Sequence, residues 1–179
     1  MVLFTGRPLA LQSEEKQVNA ILNVWFGGTE AGAAIADVLT GKVSPTGKLT
    51  MSFPRVTGQC PIYYNHKMTG RPMSPDAWYT RYVSNYIDVL NEPLYPFGYG
   101  LSYTTYTYGD VSLNTNSMDA NGKIQASVIV TNTGAQDGEE IVQLYLRDIV
   151  RSITPPVQEL KGFKRVALKA GESKKVTFD

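Results

Sequence analysis

The sequence predicts two fold classes in tandem, α/β over residues 1–100 and all-β over residues 101–179, each present only in part. Three observations carry this. Apolar residues before Gly100 alternate between strand-like runs and helical spacing, the pattern of an α/β layer. After Gly100, period-two alternation is broken at turn dipeptides, as in an antiparallel sandwich. Between these regions, residues 57–98 lose periodicity and mix aromatics, prolines and polar side chains.

The opening Val2-Leu3-Phe4-Thr5-Gly6 reads as a buried strand arriving at a loop, and its abrupt start implies a strand lying inside a larger sheet. Val18, Ile21, Leu22 and Trp25 follow at i, i+3, i+4, i+7, which predicts an amphipathic helix beginning near Ser13-Glu14-Glu15 and ending at Gly27-Gly28. Gly32, Ile35, Ala36 and Leu39 repeat that spacing. Thr29 is placed to cap this second helix, Glu30 to sit near its positive end, and Gly41 to stop it. Pro45-Thr46-Gly47 is a turn, after which Leu49, Met51 and Phe53 alternate with Thr50 and Ser52 as a strand does.

A structureless stretch as long as residues 57–98 is uncommon inside a compact protein and is usually functional or disordered. Its aromatics argue for packing. Trp78, Tyr79, Tyr82 and Tyr86 are expected to be buried rather than to bind, and Trp25 to be core. In the second half, Ile124, Ala126, Val128 and Val130, then Val142, Leu144 and Leu146, then Val176 and Phe178 mark strands, with turns at Asn121-Gly122, Thr133-Gly134 and Ala170-Gly171. About five strands are readable, fewer than the roughly seven of a full sandwich.

Composition excludes several functions. Seventeen Lys+Arg against sixteen Asp+Glu leave a formal net charge of +1, so no basic field for nucleic acid is expected. A single cysteine, Cys60, and a single histidine, His66, offer neither an internal disulfide nor a usual transition-metal set, and no cofactor is expected. No apolar run is long enough for a membrane span, and no leader opens the chain.

The wording of the sequence carries more than its patterning. Trp25-Phe26-Gly27-Gly28-Thr29-Glu30-Ala31-Gly32, Ile35-Ala36-Asp37-Val38-Leu39, Pro45-Thr46-Gly47-Lys48-Leu49 and Ser52-Phe53-Pro54 resemble the end of the α/β-sandwich domain of family 3 glycoside hydrolases, the β-glucosidase and β-xylosidase kind. Tyr95-Pro96-Phe97-Gly98-Tyr99-Gly100-Leu101-Ser102-Tyr103 is similar to the passage in those enzymes toward a fibronectin-type-III-like domain. Asn132-Thr133-Gly134, Gly138-Glu139-Glu140-Ile141-Val142-Gln143-Leu144-Tyr145 and Glu159-Leu160-Lys161-Gly162-Phe163 resemble that domain, here truncated. Gly27-Gly28 departs from the Pro-Gly frequent at that point of the family.

The resemblance implies a retaining exo-acting β-glycosidase that releases terminal β-D-glucosyl or xylosyl units through a carboxylate nucleophile and a second carboxyl group as acid/base. In the family both groups lie ahead of the residues matched here, so the 179 residues alone are expected to be inactive, with no catalytic residue among them. Glu30, Asp37, Asp88 and Glu92 are read as a cap, a helix face and loop carboxylates.

Substrate contact is expected instead from the aromatic loop. Tyr64, Asn65, His66, Lys67 and Arg71, with Tyr63 beside them, supply the aromatic and hydrogen-bonding mixture of a sugar site. The same residues would equally suit a seal against the family's N-terminal barrel. The expected partners are a β-glucoside or oligosaccharide substrate of the parent enzyme, that barrel domain, and other copies pairing through open strand edges near Met1 and Asp179. A periplasmic or secreted bacterial location follows from the resemblance. The competing reading is a non-catalytic carbohydrate-binding or structural β-sandwich module, which would need coplanar exposed aromatics after Gly100.

Overall fold

The structure, a computed structural model, describes residues 1–73 and 79–179. Trp78 therefore lies outside the described residues. The chain forms two compact units from interleaved segments. The first comprises Met1–Ala36, Leu49–Tyr99 and Leu146–Glu159, and the second Asp37–Lys48, Gly100–Tyr145 and Leu160–Asp179.

In the first unit, β1 (Val2–Phe4) and β2 (Ile21–Asn23) pair in parallel, with Leu3 opposite Leu22. Val24 N–H to Phe4 O and Gly6 N–H to Trp25 O, both 2.9 Å, continue the pairing. The helix expected over Val18 to Trp25 is absent: α1 is one turn, Gln12–Glu15. Residues 20–26 are a short apolar run, and such a run fits a strand as well as a helix; a parallel neighbour satisfies its backbone and decides the matter. β1 is not buried as expected, since Leu3 is 45% exposed.

The second helix forms as expected. α2 runs Ala31–Leu39, and Glu30 O accepts its first i→i+4 bond from Ala34 N–H. It ends at Gly41, where φ of +77° needs no Cβ to be accommodated and N–H bonds Val38 O at 3.0 Å.

Residues 49–53 form no regular strand, with bends at Thr50 and Met51 and an isolated bridge at Phe53. Leu49 exchanges 2.7 Å bonds with Tyr99 O and Gly98 N–H, and Phe53 N–H bonds Tyr95 O at 2.8 Å. Phe53 is buried, edge-on to Trp25 at 5.9 Å and to Tyr95 at 6.4 Å, so Trp25 joins this aromatic core. Irregular backbone is held by side chains here. Buried Gln59, on the 3-10 turn Thr57–Gln59, accepts from Arg55 N–H at 2.6 Å and donates to Leu90 O at 2.8 Å.

The second unit is a β-sandwich. In one sheet, β5 (Ala126–Asn132) is flanked on one side by β8 (Ser173–Phe178); β3 (Tyr106–Tyr108) and β4 (Ser112–Leu113) pair with opposite ends of β5. The other sheet is β6 (Gly138–Leu146) with β7 (Glu159–Leu168). Val130, Val142, Leu168 and Val176, one from each long strand, make the core. Phe163 on β7 is exposed.

Candidate functional site

The five residues expected to contact sugar lie in the first unit on two tethered stretches. The Tyr64 ring stacks on Phe97 at 4.1 Å and 13°, which half-buries one face and fixes its plane. Asn65, His66 and Lys67 follow with exposed side chains. Their backbone is pinned by an antiparallel bridge between Lys67 and Pro156 and by Val157 N–H donating to His66 O at 2.8 Å. His66 Nδ1 lies 3.1 Å from Lys67 O. A carbonyl only accepts, so this contact puts the neutral ring's proton on Nδ1 and leaves Nε2 as an outward acceptor.

Arg71 is held separately. Its carbonyl accepts Ser84 N–H at 2.9 Å, beside a parallel bridge between Pro72 and Ser84. Asn91 secures the far side: its Nδ2 donates to Ser84 O at 2.8 Å and its Oδ1 accepts from Tyr86 N–H at 3.1 Å. The Arg71 guanidinium is thus presented at the surface from a fixed backbone.

This tether brings Arg71 to the turn that carries Tyr82, a residue sequence reasoning assigned to the interior. Tyr82 is 82% exposed and has φ of +65°, rare for a bulky residue. A strained backbone bearing an outward aromatic is the kind of feature that clusters at ligand sites. Tyr79 is exposed as well, against the expectation of burial, while Tyr86 is half-buried with its hydroxyl donating to Gln59 O at 3.2 Å. Neither the sign of φ nor outward orientation is encoded in the residue type, so only the absence of apolar periodicity around Tyr82 could have signalled it.

The carboxylates are placed as surface groups. Asp37 binds Lys42 at 3.0 Å, Glu30 and Asp88 are exposed, and exposed Glu92 accepts from Arg55 through its backbone carbonyl at 3.1 Å. Among the described residues, no group of three or more His, Cys, Asp or Glu side chains is placed to hold a metal ion, and no helix is long and apolar enough to cross a membrane.

Comparison with known proteins gives these features a context. Residues 1–103 match the glycosyl hydrolase family 3 C-terminal domain, and residues 140–179 the fibronectin type III-like domain. Over 99% of its length the chain is 54% identical to a periplasmic beta-glucosidase of Salmonella typhimurium and 46% identical to a beta-xylosidase of Formosa agariphila. A crystal structure of a beta-glucosidase from Listeria innocua in complex with isofagomine superposes on 98% of the chain with a TM-score of 0.92 and 46% identity. A mutant of the Listeria enzyme has been crystallised with laminaribiose. The chain spans 23% and 24% of the two sequence relatives and 25% of the crystallised chain. On these matches, the chain belongs to glycoside hydrolase family 3 through that family's C-terminal and fibronectin type III-like domains.

Proposed function

We propose that these residues form the carboxy-terminal part of a retaining exo-acting β-glycosidase for terminal β-D-glucosyl or xylosyl units, whose nucleophile, by analogy with the family, lies in an N-terminal barrel domain and whose acid/base lies earlier in the α/β-sandwich domain. The observation that carries this is 54% identity, over nearly the whole chain, to a protein named a beta-glucosidase. Residues 1–100 end the α/β-sandwich domain and residues 101–179 supply the fibronectin-like domain. In this reading Tyr64, Asn65, His66, Lys67 and Arg71 line the leaving-group side of the pocket, joined by the exposed Tyr82 ring. Export to the periplasm or beyond follows by analogy with the Salmonella relative.

The tethers support such a role, because a contact residue is useful only when its backbone does not have to be ordered on binding. The module reading is weaker. The exposed aromatics after Gly100 are spread over separate elements, and Tyr103 and Tyr108 use their hydroxyls internally, on Val38 O and Glu140.

Two measurements test the proposal. The purified 179-residue chain should show no turnover of an aryl β-glucoside. Substituted for the matching residues of the Salmonella enzyme, it should restore hydrolysis; turnover by the chain alone, or a folded but inactive chimera, would overturn the reading.

A further inference from the structure

The connection from β6 to β7 is twelve residues long and carries an apolar crest. Ile149, Val150 and Ile153 are 83%, 84% and 73% exposed. Three aliphatic side chains so exposed within five residues are not the scattered apolar surface of an ordinary monomer. Beneath the crest, Met68 and residues 147–157 line a groove of about 400 Å³.

This arch is shaped, not loose. Val150 N–H donates to Asp148 Oδ1 at 3.3 Å, and the Arg151 guanidinium pairs with the same carboxylate. Pro155 and Pro156 stiffen its return, and Val157 N–H fastens it to His66 O. An apolar surface ordered in advance loses little entropy when covered.

The total surface of the chain is large for its mass. The chain exposes 12317 Å². A folded monomer of 19.7 kDa exposes roughly 8,600 Å², and two separate bodies of half that mass roughly 10,400 Å² together. The excess of about 2,000 Å², even for two independent bodies, is on the scale of an obligate interface. The relatives offer an occupant of suitable size, since three quarters of their length lies outside the residues matched here.

We infer that the arch of residues 147–157 is a docking surface for the remaining part of a family 3 glycosidase, with Ile149, Val150 and Ile153 as its apolar anchor. The inference rests on the proposed function and adds a partner surface to it. By seating the arch, that partner would also fix its base, where Val157 holds His66.

Hydrogen exchange in the chimera with the Salmonella enzyme tests this. The amides of Ile149, Arg151, Ser152 and Ile153 should exchange at least tenfold more slowly in the chimera than in the 179-residue chain. Ile149→Asp with Ile153→Asp in the chimera should remove that protection, while Ile149→Leu with Ile153→Leu keeps it. Equal exchange in chimera and chain overturns the inference, as does protection in the chain alone that grows with concentration, which would make a second copy the occupant. Activity is scored separately: an active chimera with an unprotected arch sinks only the docking surface, and a protected arch in an inactive chimera sinks only the proposed function.

Discussion

Lys48 Nζ lies 3.1 Å from Glu140 Oε2 in the second unit, with the two side chains 16% and 9% exposed. The ammonium also donates to Gly100 O at 2.8 Å, and Glu140 Oε1 accepts the Tyr108 hydroxyl at 2.9 Å. Two charges so far from water are tolerable only because each has its partners.

Removing one partner should therefore cost more than removing both. Glu140→Ala leaves the lysine uncompensated and should destabilise by about 3 kcal/mol, whereas Lys48→Met with Glu140→Leu should stay within about 1 kcal/mol of the parent. Urea denaturation of the three proteins checks the order; a double variant less stable than Glu140→Ala would contradict it.

The same cluster sets a response to alkali. Burial pushes the Tyr108 phenol above its ordinary value near 10, and the Glu140 charge and hydrogen bond push it further. Burial raises Tyr95 and Tyr106 too. Above pH 10 the unfolded chain releases these protons and the folded chain keeps them, so stability falls as pH rises. Tyr108→Phe should flatten part of that fall between pH 9 and 11 in thermal melts, leaving the share from the other two tyrosines.

How much of this was legible depends on where the information resides. α2 was readable because Gly32, Ile35, Ala36 and Leu39 give the helix period and Gly41 a stop, all local signals. The long strands β5 and β6 were readable for the same reason, since their apolar residues alternate at period two, locally, along each strand. β2 was not. Ile21 and Leu22 become strand because β1 lies beside them, a fact about residues nineteen positions away.

The candidate site divides along the same line. The side-chain types at residues 64–67 and 71 announced hydrogen-bonding chemistry, but their tethers to Val157 and Ser84 are long-range pairings with no pattern of their own. Tyr82 was misplaced because its exposure follows from a backbone angle, which residue type does not declare.

Asn132 tests whether one buried amide organises the end of β5. Fully buried, it accepts Thr104 Oγ1 at 2.6 Å and Gly134 N–H at 3.1 Å, and it donates to Gln136 O at 2.7 Å and Leu168 O at 3.2 Å. Asn132→Ala strands these partners and should cost about 3 kcal/mol. Gly134→Ala should disturb the same cluster, because a Cβ there would sit 2.1 Å from Thr104 Oγ1. The two effects share partners and should be less than additive in a double-mutant cycle; strict additivity would mean that they act separately.

Arg71 and Tyr82 make the sharpest test of the loop as a leaving-group contact. A residue that binds the aglycone sugar matters for a disaccharide and little for a glycoside with a small aryl leaving group. In the chimera with the Salmonella enzyme, Arg71→Ala and Tyr82→Ala should each lower kcat/KM for laminaribiose about tenfold, equivalent to about 1.4 kcal/mol of lost transition-state binding. Turnover of the aryl glucoside should change less than threefold. The control is Asn91→Ala, which removes the bonds to Ser84 O and Tyr86 N–H that steady the tether while leaving both contact side chains in place. It should shift the disaccharide in the same direction by a smaller factor. Equal losses on both substrates would assign these residues to general stability, and no loss on either would remove them from the pocket.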